Sequence, residues 1–170
     1  MLEVLQSIIP TVLFYSAPLI LTALGGVFSE KSGVVNIGLE GLMIMGAFIG
    51  IVFNLSYASV FGDWTPWVSL LAATIVGAIF SIIHAVASVS FHADQVVSGV
   101  AINMLALGIG VFLTKLWYGK GQTEMVEEPF YTTDIALLSD IPIIGPMFFE
   151  GMYITSYLAI LLAFVAWYVL

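Results

Sequence analysis

Several uninterrupted apolar stretches constrain this chain more than any other feature, because about 20 such residues are needed to cross the hydrocarbon core of a bilayer. The 170-residue sequence is 61% hydrophobic and 8% charged, whereas an ordinary soluble domain has about 25% charged residues. The runs do not alternate between apolar and polar residues, as strands of a membrane barrel do. The sequence therefore predicts an all-α fold, a polytopic transmembrane helix bundle.

We expect one transmembrane domain over residues 1–170 with about five spans, at residues 8–28, 34–55, 67–91, 96–118 and 152–170. The last apolar run, AILLAFVAWYVL, reaches residue 170 without a polar flank, so we expect an N-terminal fragment of a longer bundle. The segment at 119–151 is the longest polar stretch. Its apolar part, IPIIGPMFF at 141–149, is too short to span and suits an interfacial hairpin or a docking ledge.

The composition argues against several functions. Three lysines and no arginine provide no basic footprint for nucleic acid. With no cysteine and two histidines, the sequence predicts no metal site. Neither a nucleophile motif such as G-x-S-x-G nor a phosphate-cradling glycine motif is present in the sequence.

The stretch SEKSGVVNIGLEG at 29–41 places polar residues at the start of the second predicted span. Asn36 and Glu40 share the spacing of one helical face with Gly33. A glutamate at this depth costs about 2.5–3.5 kcal/mol on insertion scales, so it should face other helices or water. Three glycines would weaken the helix and admit a second backbone: Gly33, Gly38 and Gly41. We expect a broken or closely packed helix beside a polar passage; the alternative is that Glu40 reaches interfacial water.

A second polar group, HADQVVSGVAIN, opens the fourth predicted span. Asp94 stands where a carboxylate caps a helix N-terminus. Gln95, Gly99 and Asn103 form one stripe, and Asn103 either bonds another helix or faces a pore. The candidates for the translocation pathway are therefore Asn36, Glu40, Gln95 and Asn103. In the second span, the pair Gly46 and Gly50 predicts close helix packing within the bundle.

The third predicted span carries Ser81, His84 and Ser88 on one stripe. A lone intramembrane histidine is usually a hydrogen-bonded packing residue, although it can relay protons. An intramembrane enzyme that uses His84 with Asp94 or Glu40 is therefore an alternative function, and a membrane scaffold is another. His84→Ala would abolish the activity of such an enzyme and leave a transporter largely active.

Two segments carry a family resemblance. SEKSGVVNIGLEGLMIMGAFIG resembles the early signature of permease subunits of bacterial ABC importers, in the branch for branched-chain amino acids, sugars and nucleosides. ADQVVSGVAINMLALGIGVFLTKLWYG resembles the next block of the same family, and the nucleoside or general-sugar permeases are the most similar. The first motif is matched at Glu30, Gly33, Asn36, Gly38, Glu40 and Gly41. The second is matched at Asp94, Gln95, Gly99 and Asn103.

The resemblance implies a transporter subunit in a bacterial plasma membrane, not itself an enzyme. Its implied partners are a second permease subunit, cytoplasmic ATPase subunits that bind ATP, and an extracytoplasmic solute-binding protein. It also implies that residues near 30 and 93 are cytoplasmic and that the loop at 120–150 is extracytoplasmic. The ATPase-coupling loop of such permeases would lie beyond residue 170, so we expect the sequence as written to be inactive alone. The sequence identifies neither the solute nor the partner permease.

Overall fold

The structure is a computed structural model that describes residues 2–136 and 138–170. In these ranges the chain forms six α-helices: α1 (Leu2–Lys31), α2 (Leu39–Phe61), α3 (Thr65–Ala85), α4 (Gln95–Tyr118), α5 (Ile144–Phe148) and α6 (Ile154–Val169). A 3-10 turn at Gly62–Trp64 joins α2 to α3, and a π-helical turn at Val86–Ser90 follows α3. Two strands of two residues each, β1 (Thr132–Thr133) and β2 (Met152–Tyr153), complete the described elements. The predicted all-α fold class is confirmed.

Three helical stretches are long and apolar enough to cross a membrane: Val4–Lys31, Leu39–Ser90 and Gln95–Tyr118. The second is 52 residues long and contains both α2 and α3. Helix α6 is apolar as well but has 16 residues. Each of the five predicted segments therefore contains a helix, and the number of membrane crossings stays a prediction.

Residues 25–129 form one of two compact units, and its centre is helix α2, which packs against both α3 and α4. Because a three-residue turn joins α2 to α3, the two helices form an antiparallel hairpin. Apolar side chains from all three helices meet in the core of this unit, where four are buried: Met45, Phe80, Ile102 and Ala106. This packing holds the N-terminal part of α2 against α4.

The other unit combines the start of the chain, up to Leu24, with the residues from Phe130 onward. Strands β1 and β2 pair in antiparallel register, with Thr132 opposite Tyr153. Next to them, the backbone N–H of Gly151 donates to Asp134 Oδ1 at 2.6 Å. The apolar stretch at 141–149 includes the single short helix α5. Its expected place at the membrane interface stays a prediction.

Candidate functional site at the start of helix α2

Residues 34–38, between α1 and α2, are not helical. Gly33 has a φ of +86°, which turns the chain out of α1. Asn36 Oδ1 then accepts a hydrogen bond from the N–H of Gly38, two residues on, at 2.9 Å, as an asparagine does in a local turn. The prediction that Gly33, Asn36 and Glu40 share one helical face is therefore wrong, because the helix begins at Leu39 and not at Val34.

Part of the backbone of this non-helical segment, and of the first turn of α2, is hydrogen-bonded to side chains of α4. Gln95 Oε1 accepts from the N–H of Val35 at 2.8 Å. Asn103 bonds twice: its Oδ1 accepts from Gly41 N–H at 2.7 Å, and its Nδ2 donates to Ile37 O at 3.1 Å. We call Asn36, Gln95 and Asn103 the amide clamp. Backbone groups without partners are costly away from water, so the clamp stabilises the segment within an apolar bundle.

The order of these contacts shows that segment 34–38 runs alongside the first two turns of α4. Val35 is bonded to Gln95 and Gly41 to Asn103, eight residues further along α4. Eight residues of α-helix rise about 12 Å. Helix α2 therefore begins about two turns inside the level at which α4 begins, and α2 and α4 run in the same direction. If α4 crosses the membrane, the first turn of α2 lies within the bilayer.

Glu40 lies in that first turn, and its side chain is exposed. In the part of the chain that the structure describes, its carboxylate forms no hydrogen bond or ion pair. The side chain lies at the N-terminal end of α2, where the helix dipole is positive. Of the four pathway candidates, Glu40 differs from the other three, since Asn36, Gln95 and Asn103 are bonded to backbone atoms.

The other motif residues lie in nearby parts of the same unit. Asp94 is the N-cap residue of α4, and its Oδ1 accepts from the N–H groups of Val96 and Val97 at 2.9 and 3.0 Å. Gly46 and Gly50 face α3, where an added Cβ would lie 3.7 Å from Ala73 O and 3.5 Å from Ala73 Cβ. Residues 46–50 therefore pack closely against α3.

His84 is buried where α3 meets α4, with 3% of its surface exposed. Its Nδ1 lies 3.0 Å from Ser98 Oγ, and its Nε2 lies 3.5 Å from Ser88 Oγ. Both neighbours are hydroxyl groups, which can donate or accept, so either tautomer of the imidazole is satisfied. Among the described residues, no three His, Asp or Glu side chains are grouped so as to hold a metal ion.

The sequence did not predict two of the polar contacts. Ser98, the partner of His84, lies inside HADQVVSGVAIN but off the Gln95–Asn103 stripe. Asn54, near the end of the second predicted span, is 4% exposed. Its Nδ2 donates to Glu128 O at 2.7 Å, and its Oδ1 accepts from Glu128 N–H at 3.3 Å. An asparagine in the apolar run IVFNLS was the available signal for this second contact.

Long apolar helices and a polar, closely packed helix junction define a multi-pass membrane protein of the helical class. A family model described as the permease component of branched-chain amino acid transport systems matches residues 8–170. The chain therefore belongs to this family of transport permeases. No solved structure matches the chain significantly.

Curated relatives agree with this assignment. The guanosine ABC transporter permease protein NupQ of Bacillus subtilis is 61% identical over 168 residues, which is 99% of this chain and 53% of that protein. The nucleoside ABC transporter permease protein NupC of Lactococcus lactis is 49% identical over 98% of this chain and 52% of its own length. A putative glucose ABC transporter permease protein, TsgC13 of Haloferax volcanii, is 32% identical over 89% of this chain and 44% of its own length. The chain thus spans about half the length of these relatives.

Proposed function

We propose that this chain is part of the permease subunit of an ATP-driven importer and that the imported solute is a nucleoside. The observation that carries the proposal is the 61% identity over 168 residues with a permease named for guanosine. A second relative named for nucleosides is 49% identical, whereas the relative named for glucose is 32% identical. The nucleoside class is therefore favoured over sugars.

The junction between segment 34–38 and α4 is the proposed border of the translocation pathway. This junction brings polar groups together at a depth where most side chains of the bundle are apolar. Transporters use interrupted helices of this kind to form their solute sites. The proposed partners are a second permease subunit, cytoplasmic ATPase subunits that bind and hydrolyse ATP, and an extracytoplasmic solute-binding protein. We place residues near 30 and 93 on the cytoplasmic side of a bacterial plasma membrane and the loop at 120–150 outside.

Uptake by cells tests this function. Deletion of the permease gene should abolish ATP-dependent uptake of radiolabelled guanosine, and the gene on a plasmid should restore it. Guanosine, leucine and glucose are compared in the same cells, and an inactive variant of the ATPase subunit serves as the control for energy coupling. If the deletion leaves guanosine uptake intact and removes leucine or glucose uptake, the nucleoside assignment is wrong.

A further inference from the structure

The four polar residues predicted to border the pathway divide into two groups in the structure. The three amides of the clamp are bonded to the backbone of residues 35–41. Asn103 uses both its oxygen and its nitrogen in this way. The side-chain oxygens of all three amides, and Nδ2 of Asn103, are therefore bonded to the protein backbone, whereas the carboxylate of Glu40 is exposed and makes no hydrogen bond within the described chain.

The position of Glu40 restricts what the carboxylate can face. It lies one residue into α2, beside Gly41, whose N–H is held by Asn103. This turn lies about 12 Å along α4 from its first residue, inside the thickness of a bilayer. An ionised carboxylate is not stable against acyl chains, so intramembrane carboxylates face water, protein or solute.

The chemistry of the carboxylate restricts the solute group it binds. An ionised carboxylate accepts hydrogen bonds through two oxygens and donates none, so its best neutral ligand presents two adjacent donors. A guanine nucleoside has two such pairs: the 2′- and 3′-hydroxyl groups of the ribose, and the N1–H with the 2-amino group of the base. Both sources supply the same paired-donor chemistry.

We propose that Glu40 contacts the nucleoside through paired hydrogen bonds during import, and that Asn103 is a positioning residue that holds the carboxylate in place through Gly41. The proposal rests on the proposed function and assigns the solute contact within it. Asn103 acts on Glu40 through the first turn of α2, because its Oδ1 accepts from the residue that follows Glu40. Removal of the Asn103 amide would leave the N–H of Gly41 and the C=O of Ile37 without these partners.

The test measures kcat/KM for import by the intact importer in proteoliposomes with three solutes: guanosine, inosine, which lacks the 2-amino group, and 2′,3′-dideoxyguanosine, which lacks the ribose diol. The same binding protein is used throughout, so its contribution cancels between variants. Import of guanosine by the wild-type importer is the first measurement, and its failure would refute the proposed function separately from this inference.

Glu40→Gln should lower kcat/KM for guanosine by about tenfold or more, the effect of losing hydrogen bonds to a charged group. The loss should be much smaller for one analogue, and that analogue identifies the donors that Glu40 binds: inosine indicates the base, and dideoxyguanosine the ribose. Glu30→Gln, at an exposed carboxylate near the end of α1, is the matched control and should change no value. An equal loss for all three solutes, or no loss, overturns the contact.

Membrane abundance and subunit assembly are measured for each variant, so that a folding defect is separated from a transport defect. If Glu40→Gln fails to assemble, Glu40→Asp replaces it, since it keeps the charge and shortens the side chain. The shortened residue should reduce the preference for guanosine over the identified analogue. An unchanged preference with the shorter side chain overturns the contact.

Asn103→Ala tests the positioning role. It should reduce the same preference for guanosine, and it should cause little further loss of preference in the Glu40→Gln background, because both changes act on one contact. Thr114→Val, on the same helix, removes a hydroxyl that bonds to Gly110 of its own helix, and should leave the preference unchanged. A uniform fall for all three solutes in Asn103→Ala, or additive losses in the double variant, overturns the positioning role.

Discussion

Two glycines determine how closely the start of α2 approaches α4. A Cβ at Gly99 would lie 2.8 Å from the backbone nitrogen of Gly38 and 3.1 Å from the carbonyl carbon of Ile37. A Cβ at Gly41 would lie 2.8 Å from the carbonyl oxygen of Ile102. These neighbours are backbone atoms, which cannot move aside as a flexible side chain can. Glycine at both positions thus allows the two main chains to touch and the amide clamp to close.

Gly99→Ala is therefore expected to destabilise the protein by about 1–3 kcal/mol, the usual range for overpacking. The reason is steric, since the new methyl group would push α4 away from segment 34–38 and lengthen the bonds from Gln95 and Asn103. Thermal unfolding in detergent measures the effect.

Gly108→Ala is the matched control for this change, since a Cβ there meets no atom of the described chain within 4 Å. On the same helix α4, it should be neutral or gain up to about 1 kcal/mol from helix propensity. Equal melting temperatures for Gly99→Ala and Gly108→Ala would contradict the close approach.

Polar residues within apolar runs can be found from sequence, but their partners cannot. Asn36 and Asn103 stand out because amides are costly in a bilayer. Their roles as backbone acceptors and donors depend on the non-helical path of residues 34–38, which the apolar sequence VVNIG does not reveal. The bond between Asn54 and Glu128 joins residues 74 positions apart, and a contact between such distant residues is visible only in the folded structure.

At the scale of elements, the displacement of α2 along the bundle explains contacts at both of its ends. Its start lies two turns inside the start of α4, and its later part extends beside the loop that follows α4. The sequence predicted both ends of α4 to within one residue. These ends are well defined, because Asp94 caps the start of the helix and Gly119, with a φ of +68°, ends it. The predicted start of α2 was five residues too early. Residues 34–38 are mostly apolar and so continue the hydrophobic run, but their backbone is bonded to side chains and does not form a helix.

Asn54→Ala should release the loop before residue 129 from helix α2. The variant leaves the N–H and the C=O of Glu128 without their partners in Asn54, at a cost of about 1–3 kcal/mol for buried groups. Hydrogen exchange of the Glu128 amide should then be about 10- to 100-fold faster.

Asn54→Asp serves as the comparison for the loop. It keeps an acceptor for the Glu128 N–H and loses the donor, so the exchange of this amide should lie between that of the wild type and that of Asn54→Ala. Unchanged exchange in both variants would show that other contacts hold the loop.

At the scale of the whole molecule, the directions of the helices place the polar stretches at 29–41 and 92–103 at the same end of their unit. Within residues 25–129, α2 and α4 run in the same direction and α3 runs in the opposite direction, so residues near 33 and 93 lie at one end and residues near 62 and 119 at the other. Lysine counts do not set the orientation, since Lys31 lies at the first end and Lys115 and Lys120 at the second. The family resemblance, by contrast, implies that the first end is cytoplasmic.

Single cysteines decide between the two orientations, because residues 1–170 contain no native cysteine. Ser32→Cys reports on the first end, and Met125→Cys, at a position 90% exposed, reports on the second. In right-side-out vesicles an impermeant maleimide should label the cysteine at 125 and not the one at 32, and in inside-out vesicles the pattern should reverse. The membrane stops the reagent, so the labelled end is the one that faces the medium. The opposite pattern would place residues 30 and 93 outside, and Lys115 and Lys120 on the cytoplasmic side that the positive-inside rule favours.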